Sequence, residues 1–169
     1  ANVALVATAV FNGISQGSQP LLSDYYGKND DKSVQKILRL SIITGIAAAV
    51  LIILVTNLIP DVIVAVFNNE NNAEMASYAV FGVQLYFTGF LFAGFNIIGT
   101  GFLSATESAA WAFITSVLRG FVAISLCALL LSALFGMTGV WLAFPVAEFI
   151  TAVLMVIAIA QNVRKMRTK

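Results

Sequence analysis

The chain has 169 residues, 60% of them hydrophobic and only 10% charged, with a formal net charge of +1 and a mean hydropathy of +0.94. That balance lies far from a soluble fold, and the near-neutral charge offers no field for nucleic acid or an acidic partner. Histidine is absent and the one cysteine, Cys127, sits in an apolar run, which removes the commonest metal ligand and general base and excludes an internal disulfide.

Three stretches carry no charge at all: Leu40–Leu58, Val80–Ala105 and Phe121–Ala147. A helix rises about 1.5 Å per residue, so about 20 apolar residues cross the roughly 30 Å hydrocarbon layer of a bilayer. The expected fold is therefore all-α: a polytopic transmembrane bundle of about five spans, forming a single transmembrane domain over residues 1–169. The first span runs from near Ala1 to about Tyr26 and is the most interrupted, with Asn12, Gly13, Ser15, Gln16, Gly17, Ser18, Gln19 and Pro20 in one stretch. Gly13 and Gly17 have the small-xxx-small spacing that lets two backbones approach. Pro20 frees the carbonyl of Gln16 and is a hinge candidate. This element reads either as a tight helix crossing or as a polar-lined wall of a translocation path, with Gln16 and Gln19 facing the cavity.

The second span runs from about Leu38 to Leu58. After it, Pro60–Ala76 breaks the pattern: Asp61–Phe67 is too short to cross and is expected to lie along the interface, ahead of a polar turn at Asn68–Asn72. The third span, about Tyr78 to Ser104, sets Gln84 with Thr88 and Asn96 with Thr100 on shared faces at i,i+4 spacing. Gln84 and Asn96 are cavity-lining candidates. Most of the aromatic residues around them, from Phe81 to Phe102, are expected to pack against lipid or neighbouring helices.

The fourth span covers about Ala109–Phe135 and the fifth about Thr138–Gln161. Each holds one charge. Counted from the turn near Met137, Arg119 lies about 27 Å deep and Glu148 about 16 Å deep at about 1.5 Å per residue. That offset argues against an in-register salt bridge, and Arg119 is expected to snorkel to the cytoplasmic interface. Glu148 lies near the bilayer centre, three residues after Pro145, a second hinge candidate that frees the carbonyl of Trp141. A carboxylate at that depth is by default a proton, cation or substrate site; the alternative is a hydrogen-bonded packing group.

Lysine and arginine set the orientation. The loop between the first two spans carries Lys28, Lys32, Lys36 and Arg39, the C-terminal tail carries Arg164, Lys165, Arg167 and Lys169, and the next loop carries none. Positive loops stay cytoplasmic, so the first loop and the C-terminus are expected inside a cell (inner) membrane, which puts Ala1 outside. With no initiator Met and no signal segment, the simplest expectation is a missing preceding span. No phosphate-binding loop, metal-ligand spacing or nucleophile–histidine pair occurs, so an enzyme is not expected, no cofactor is implied, and any transport must draw on an ion gradient.

Several segments resemble one family. Asn12–Ser23 followed by Tyr26-Gly27-Lys28, the run Phe102–Thr106, Ser116–Gly120, and Phe135–Glu148 occur in the order of the multidrug and toxic compound extrusion (MATE) family. The last three resemble its loop after helix ten, part of helix eleven and the entry into helix twelve. The resemblance implies an antiporter of two six-helix lobes, with this chain as helices eight to twelve and an N-terminal lobe as partner. It implies export of cationic or amphipathic small molecules in exchange for H⁺ or Na⁺ by alternating access. The chain departs from members with an acidic coupling residue in this lobe, since its first three spans have none in mid-span; Glu148 is the candidate instead. Two other readings stand beside it. A lipid-linked oligosaccharide flippase of the same superfamily would favour a strongly basic cavity. A non-transporting membrane scaffold would disperse its polar residues as helix glue rather than gather them at one cavity.

The charge asymmetry is directly testable. In a Cys127→Ser background, single cysteines at Asn29 and Asn69 are expected to react with impermeant reagents from opposite sides of the membrane. Labelling of both from outside in intact cells would reverse or cancel the assigned orientation.

Overall fold

The computed structural model describes residues 2–60 and 73–167, all in helices and short turns. The expected interfacial segment Asp61–Phe67 and the polar turn after it lie outside the described residues. Helix α1 (Asn2–Gly27) turns into α2 (Asp31–Leu58) through Asn29, which takes the left-handed conformation at φ 55. Asn tolerates that region better than most residues. Asp30 caps α2: its carboxylate accepts from the Ser33 amide at 3.2 Å and the Ser33 hydroxyl at 2.6 Å. These bonds hold the Asp30 carboxyl below its ordinary range. The cap explains why α2 starts at Asp31 rather than Leu38, since helix continues through charged residues beyond the apolar span.

The third expected span is two helices, α3 (Ala73–Thr88) and α4 (Phe90–Ala105), joined at Gly89. There the ladder tightens: the Gly89 amide donates to the Tyr86 carbonyl at 3.1 Å, three residues back. A side chain at Gly89 would lie 2.7 Å from the Phe144 ring and 3.0 Å from the Cα of Pro145. The joint is thus where the next-but-one span presses its proline turn inward. The fourth span is α5 (Ala109–Val117) and α6 (Ile124–Phe135), separated by a π-helical segment at Leu118–Ala123. Gly136, at φ 59, makes the sharp reversal, and α7 (Met137–Arg167) closes the bundle, running past Gln161 into the basic tail.

Four of the expected spans have both the length and the apolarity to cross a membrane. The fifth, α1, has the length but carries the polar stretch from Asn12 to Gln19. Helix α4 is central, packing on α1, α2, α5 and α7. Around it Phe11, Phe87, Phe90 and Phe102 are buried, and Tyr86 stacks on Phe144 with ring centroids 4.5 Å apart. These aromatics form core, as expected for most of them. The outer surface is the reverse of a soluble protein's. Leu51, Leu58, Phe113, Phe121, Leu129 and Leu134 are all at least 63% exposed, an apolar coat suited to the acyl chains of a bilayer. Buried hydroxyls are satisfied locally: Thr56, Thr106, Thr115 and Thr151 each donate to the carbonyl four residues back.

One expectation on α1 changes. Among the described residues no helix crosses closely at Gly13 or Gly17; both face open space, with nothing within 4 Å of an added Cβ. The close approach falls instead at Gly101 of α4, where a side chain would collide with Ser15 and come within 2.9 Å of Gln19 Nε2. The reason is facial: Ser15 and Ser18 turn inward and are buried, while the two glycines sit on the opposite face.

Gly89 offers a stability test. Gly89→Ala forces a methyl group against Phe144 and the backbone at Pro145, an overpacking expected to cost about 1–3 kcal/mol. Thermal unfolding of the detergent-purified protein would show it, whereas Gly13→Ala, in open space, is expected to leave the midpoint unchanged or slightly raised.

Candidate functional site: an ion pair beside a polar cavity

A carboxylate in an apolar bundle must be paired, bonded or neutral. Glu148 of α7 is paired and bonded. Its Oε1 accepts from Arg119 Nε at 2.7 Å and its Oε2 accepts from Asn96 Nδ2 at 2.7 Å. Asn96 Nδ2 also donates to the Glu148 main-chain carbonyl at 2.9 Å. The Glu148 side chain is 5% exposed and that of Arg119 28%, so the pair is hidden at its acidic end and open at its basic end. Asn96 is fully buried, and its Oδ1 has no donor.

This pair corrects the depth argument. Arg119 does not snorkel away to the interface; its guanidinium turns into the bundle and meets Glu148. Counting rise along straight rods ignored two things. The π segment that carries Arg119 is a wider coil, which shifts register and re-aims the side chain, and the long arginine stem covers the remaining offset. Gly120, a poor helix former beside a charge in mid-span, was the local signal.

Arg119 also lines a polar cavity of about 230 Å³ between α1, α4 and the α5–π segment. Gln16 and Gln19 line it, together with Asn12, Ser15, Thr100, Ser104 and Ser116. Those additional residues follow a readable pattern: Asn12, Ser15, Gln16 and Gln19 recur at three- and four-residue steps, as do Thr100 and Ser104. Asn96 stands behind the wall, tied to it through Thr100, whose hydroxyl donates to the Asn96 carbonyl at 2.9 Å. Gln84 is not among the lining residues; it is half-buried on α3, beyond the Gly89 joint. The hinge candidates both sit within continuous helix, Pro20 exposed on α1 and Pro145 buried on α7.

Apolar helices around an ion-paired polar cavity define a multi-pass helical membrane protein. The chain belongs to the MatE family, whose model matches residues 1–129, and the resemblance read from the sequence stands. It is 27% identical over 145 residues to "Multidrug export protein MepA" of Staphylococcus saprophyticus, covering 85% of this chain and 31% of that protein. To the protein of the same name from Staphylococcus haemolyticus it is 29% identical over 147 residues, 86% of this chain and 31% of that one. The chain thus spans about a third of the length of these relatives. Its fold superposes on the outward-facing conformation of a multidrug resistance MATE family transporter of the MOP superfamily with a TM-score of 0.92, at 10% identity, over 99% of this chain and 38% of that one. The inward-facing conformation gives 0.93, at 10% identity, over 99% and 39%. The Vibrio cholerae MATE transporter VcmN in its bent form gives 0.80 at 15% identity, over 98% and 40%.

The pair predicts a non-additive stability cycle. Arg119→Gln strands the Glu148 carboxylate in the bundle and is expected to cost about 3 kcal/mol. Adding Glu148→Gln removes the stranded charge and is expected to recover most of that loss. Chemical or thermal unfolding of the single and double variants checks it; simple additivity would mean the pair contributes nothing beyond its parts.

Proposed function

We propose that the chain is part of a multidrug exporter that expels cationic or amphipathic small molecules in exchange for H⁺ or Na⁺ by alternating access. The observation that carries this reading is the convergence of amides, hydroxyls and a partly exposed arginine on one cavity in an otherwise apolar bundle. A scaffold would scatter these groups. A lipid-linked oligosaccharide flippase would call for more cations, and among the described residues Arg119 is the one that lines this cavity. The names of the MepA relatives support export of drugs. On this reading the cavity is completed by an N-terminal lobe, since 230 Å³ falls below the about 300–1,000 Å³ of drug-sized sites. The α1–α2 turn and the C-terminus face the cytoplasm of the cell (inner) membrane.

Glu148 supplies the coupling. With its carboxylate charged, the pair with Arg119 is neutral and a cation can approach the cavity. A proton on Glu148 cancels the acidic half and leaves the guanidinium unbalanced at the cavity wall, where it repels a cationic substrate. Proton and substrate then exclude one another, as exchange requires. The orphaned Oδ1 of Asn96 supports this role: after rotation of its amide it could accept the new O–H, or ligate Na⁺ beside Glu148. Pro20 and Pro145 are the places where α1 and α7 would bend.

Glu148→Gln tests this reading in the full-length transporter, N-terminal lobe included, reconstituted into vesicles with an imposed gradient. Glutamine keeps the shape and an acceptor for Arg119 but cannot titrate. Gradient-driven export of a cationic dye is expected to fall at least about ten-fold, the loss of about 1.4 kcal/mol of coupling, or to lose its pH dependence. Wild-type rate, pH profile and affinity would reduce Glu148 to a packing group.

A further inference from the structure

Apart from the polar cavity, and sharing no residue with it, α2 and α7 frame a groove of about 740 Å³ at the end that carries the basic residues. Its composition is divided. Lys36, Arg39 and Gln35 supply its polar lining, and Leu38, Ile42, Ile43 and Val163 the apolar remainder. At its mouth Arg167 Nη2 donates to Gln35 Oε1 at 3.4 Å, which adds a third cation. No acidic residue lines the groove. Among the described residues neither Lys36 nor Arg39 forms an ion pair, so both hold their charges without a carboxylate.

The position of the groove says what kind of molecule could answer those charges. From Arg39 to Ile43 is about one turn, about 6 Å along α2 at 1.5 Å per residue. Beyond Ile43 the same helix continues outward-facing with Ile46, Val50, Leu54 and Leu58 exposed. A ligand here meets cations first, then aliphatic side chains, then the apolar coat of the bundle. Inorganic phosphate would use only the first part. A zwitterionic lipid would bring an ammonium group up to two uncompensated cations. We propose that this groove is a binding site for an anionic phospholipid, its phosphate held between Lys36 and Arg39 and its acyl chain laid along Ile42, Ile43 and the outer face of α2. Basic pockets between transmembrane helices recognise such head groups by the same division of charge and apolar surface. The site stands apart from the Arg119–Glu148 cavity and does not depend on the transport reading.

Native mass spectrometry of the purified protein, titrated with phosphatidylglycerol and with phosphatidylcholine, tests it. Phosphatidylglycerol is expected to bind more tightly, and excess inorganic phosphate is expected not to displace it. Each lipid-facing cation contributes about five-fold, so Lys36→Gln with Arg39→Gln is expected to weaken phosphatidylglycerol binding about thirty-fold. Lys28→Gln with Lys32→Gln removes the same charge at the same end of the bundle but outside the groove, and is expected to change binding by less than about three-fold. Equal losses from the two double variants would reduce the effect to diffuse attraction and overturn the proposal. So would equal affinity for the two lipids in the unmutated protein, a comparison that needs no variant to fold. Displacement by inorganic phosphate would assign the cations to a free anion instead.

Discussion

A buried carboxylate that needs two donors governs the interior of this bundle. Glu148 cannot remain charged among aliphatic side chains unless Arg119 and Asn96 both reach it, and those residues come from different helices. Meeting that demand fixes the packing of α4 and α7 against the π segment, and it fixes the register between them. The 2.9 Å bond from Asn96 to the Glu148 main-chain carbonyl ties backbone as well as side chain. In an apolar medium such a pair weighs heavily, because removing one member leaves a charge with no water to receive it. The local irregularities cluster on the elements that meet around it: Gly89 lets Phe144 and Pro145 press in, and the π turn re-aims Arg119.

The same pair divides the surface into two kinds. Arg119 opens toward the cavity, where amides and hydroxyls from α1 and α4 gather. Elsewhere along the apolar spans the large exposed side chains are mostly leucine, isoleucine, valine and phenylalanine, and backbone polarity is closed off within each helix. The open polar face and the apolar coat call for different environments, water or another protein surface on one side and acyl chains on the other. Gly13 and Gly17, exposed with free space above them, belong to the first kind; a small-residue face of this sort is suited to receive another helix.

What the sequence made legible follows from which signals act over short range. Length and apolarity marked four helices, and the i,i+4 spacing of Asn96 and Thr100 put them on one face of α4, where Thr100 lines the cavity and Asn96 stands behind it. What failed depended on geometry between helices. The depth count separated Arg119 from Glu148 because rise per residue carries no information about a π turn or about where a long side chain points. Gln84 looked equivalent to Asn96, yet the break at Gly89 places it on another helix, away from the cavity. The glycines of α1 had the spacing of a helix crossing, but spacing does not say which face a neighbour occupies.

Alternating access places a further demand on such an arrangement. The bundle is held together by its own buried pair and aromatic core. On the proposed reading, the change of access then lies between this bundle and whatever closes its open face, while the charge state of Glu148 decides which face is presented. A neutral pair leaves the cavity wall uncharged overall; a protonated Glu148 leaves a lone guanidinium there. That difference is felt across the open side of the cavity but hardly within the apolar core, because Arg119 is the exposed member and Glu148 the buried one. A gradient would thereby act on the contact between lobes without disturbing the packing that holds each lobe together.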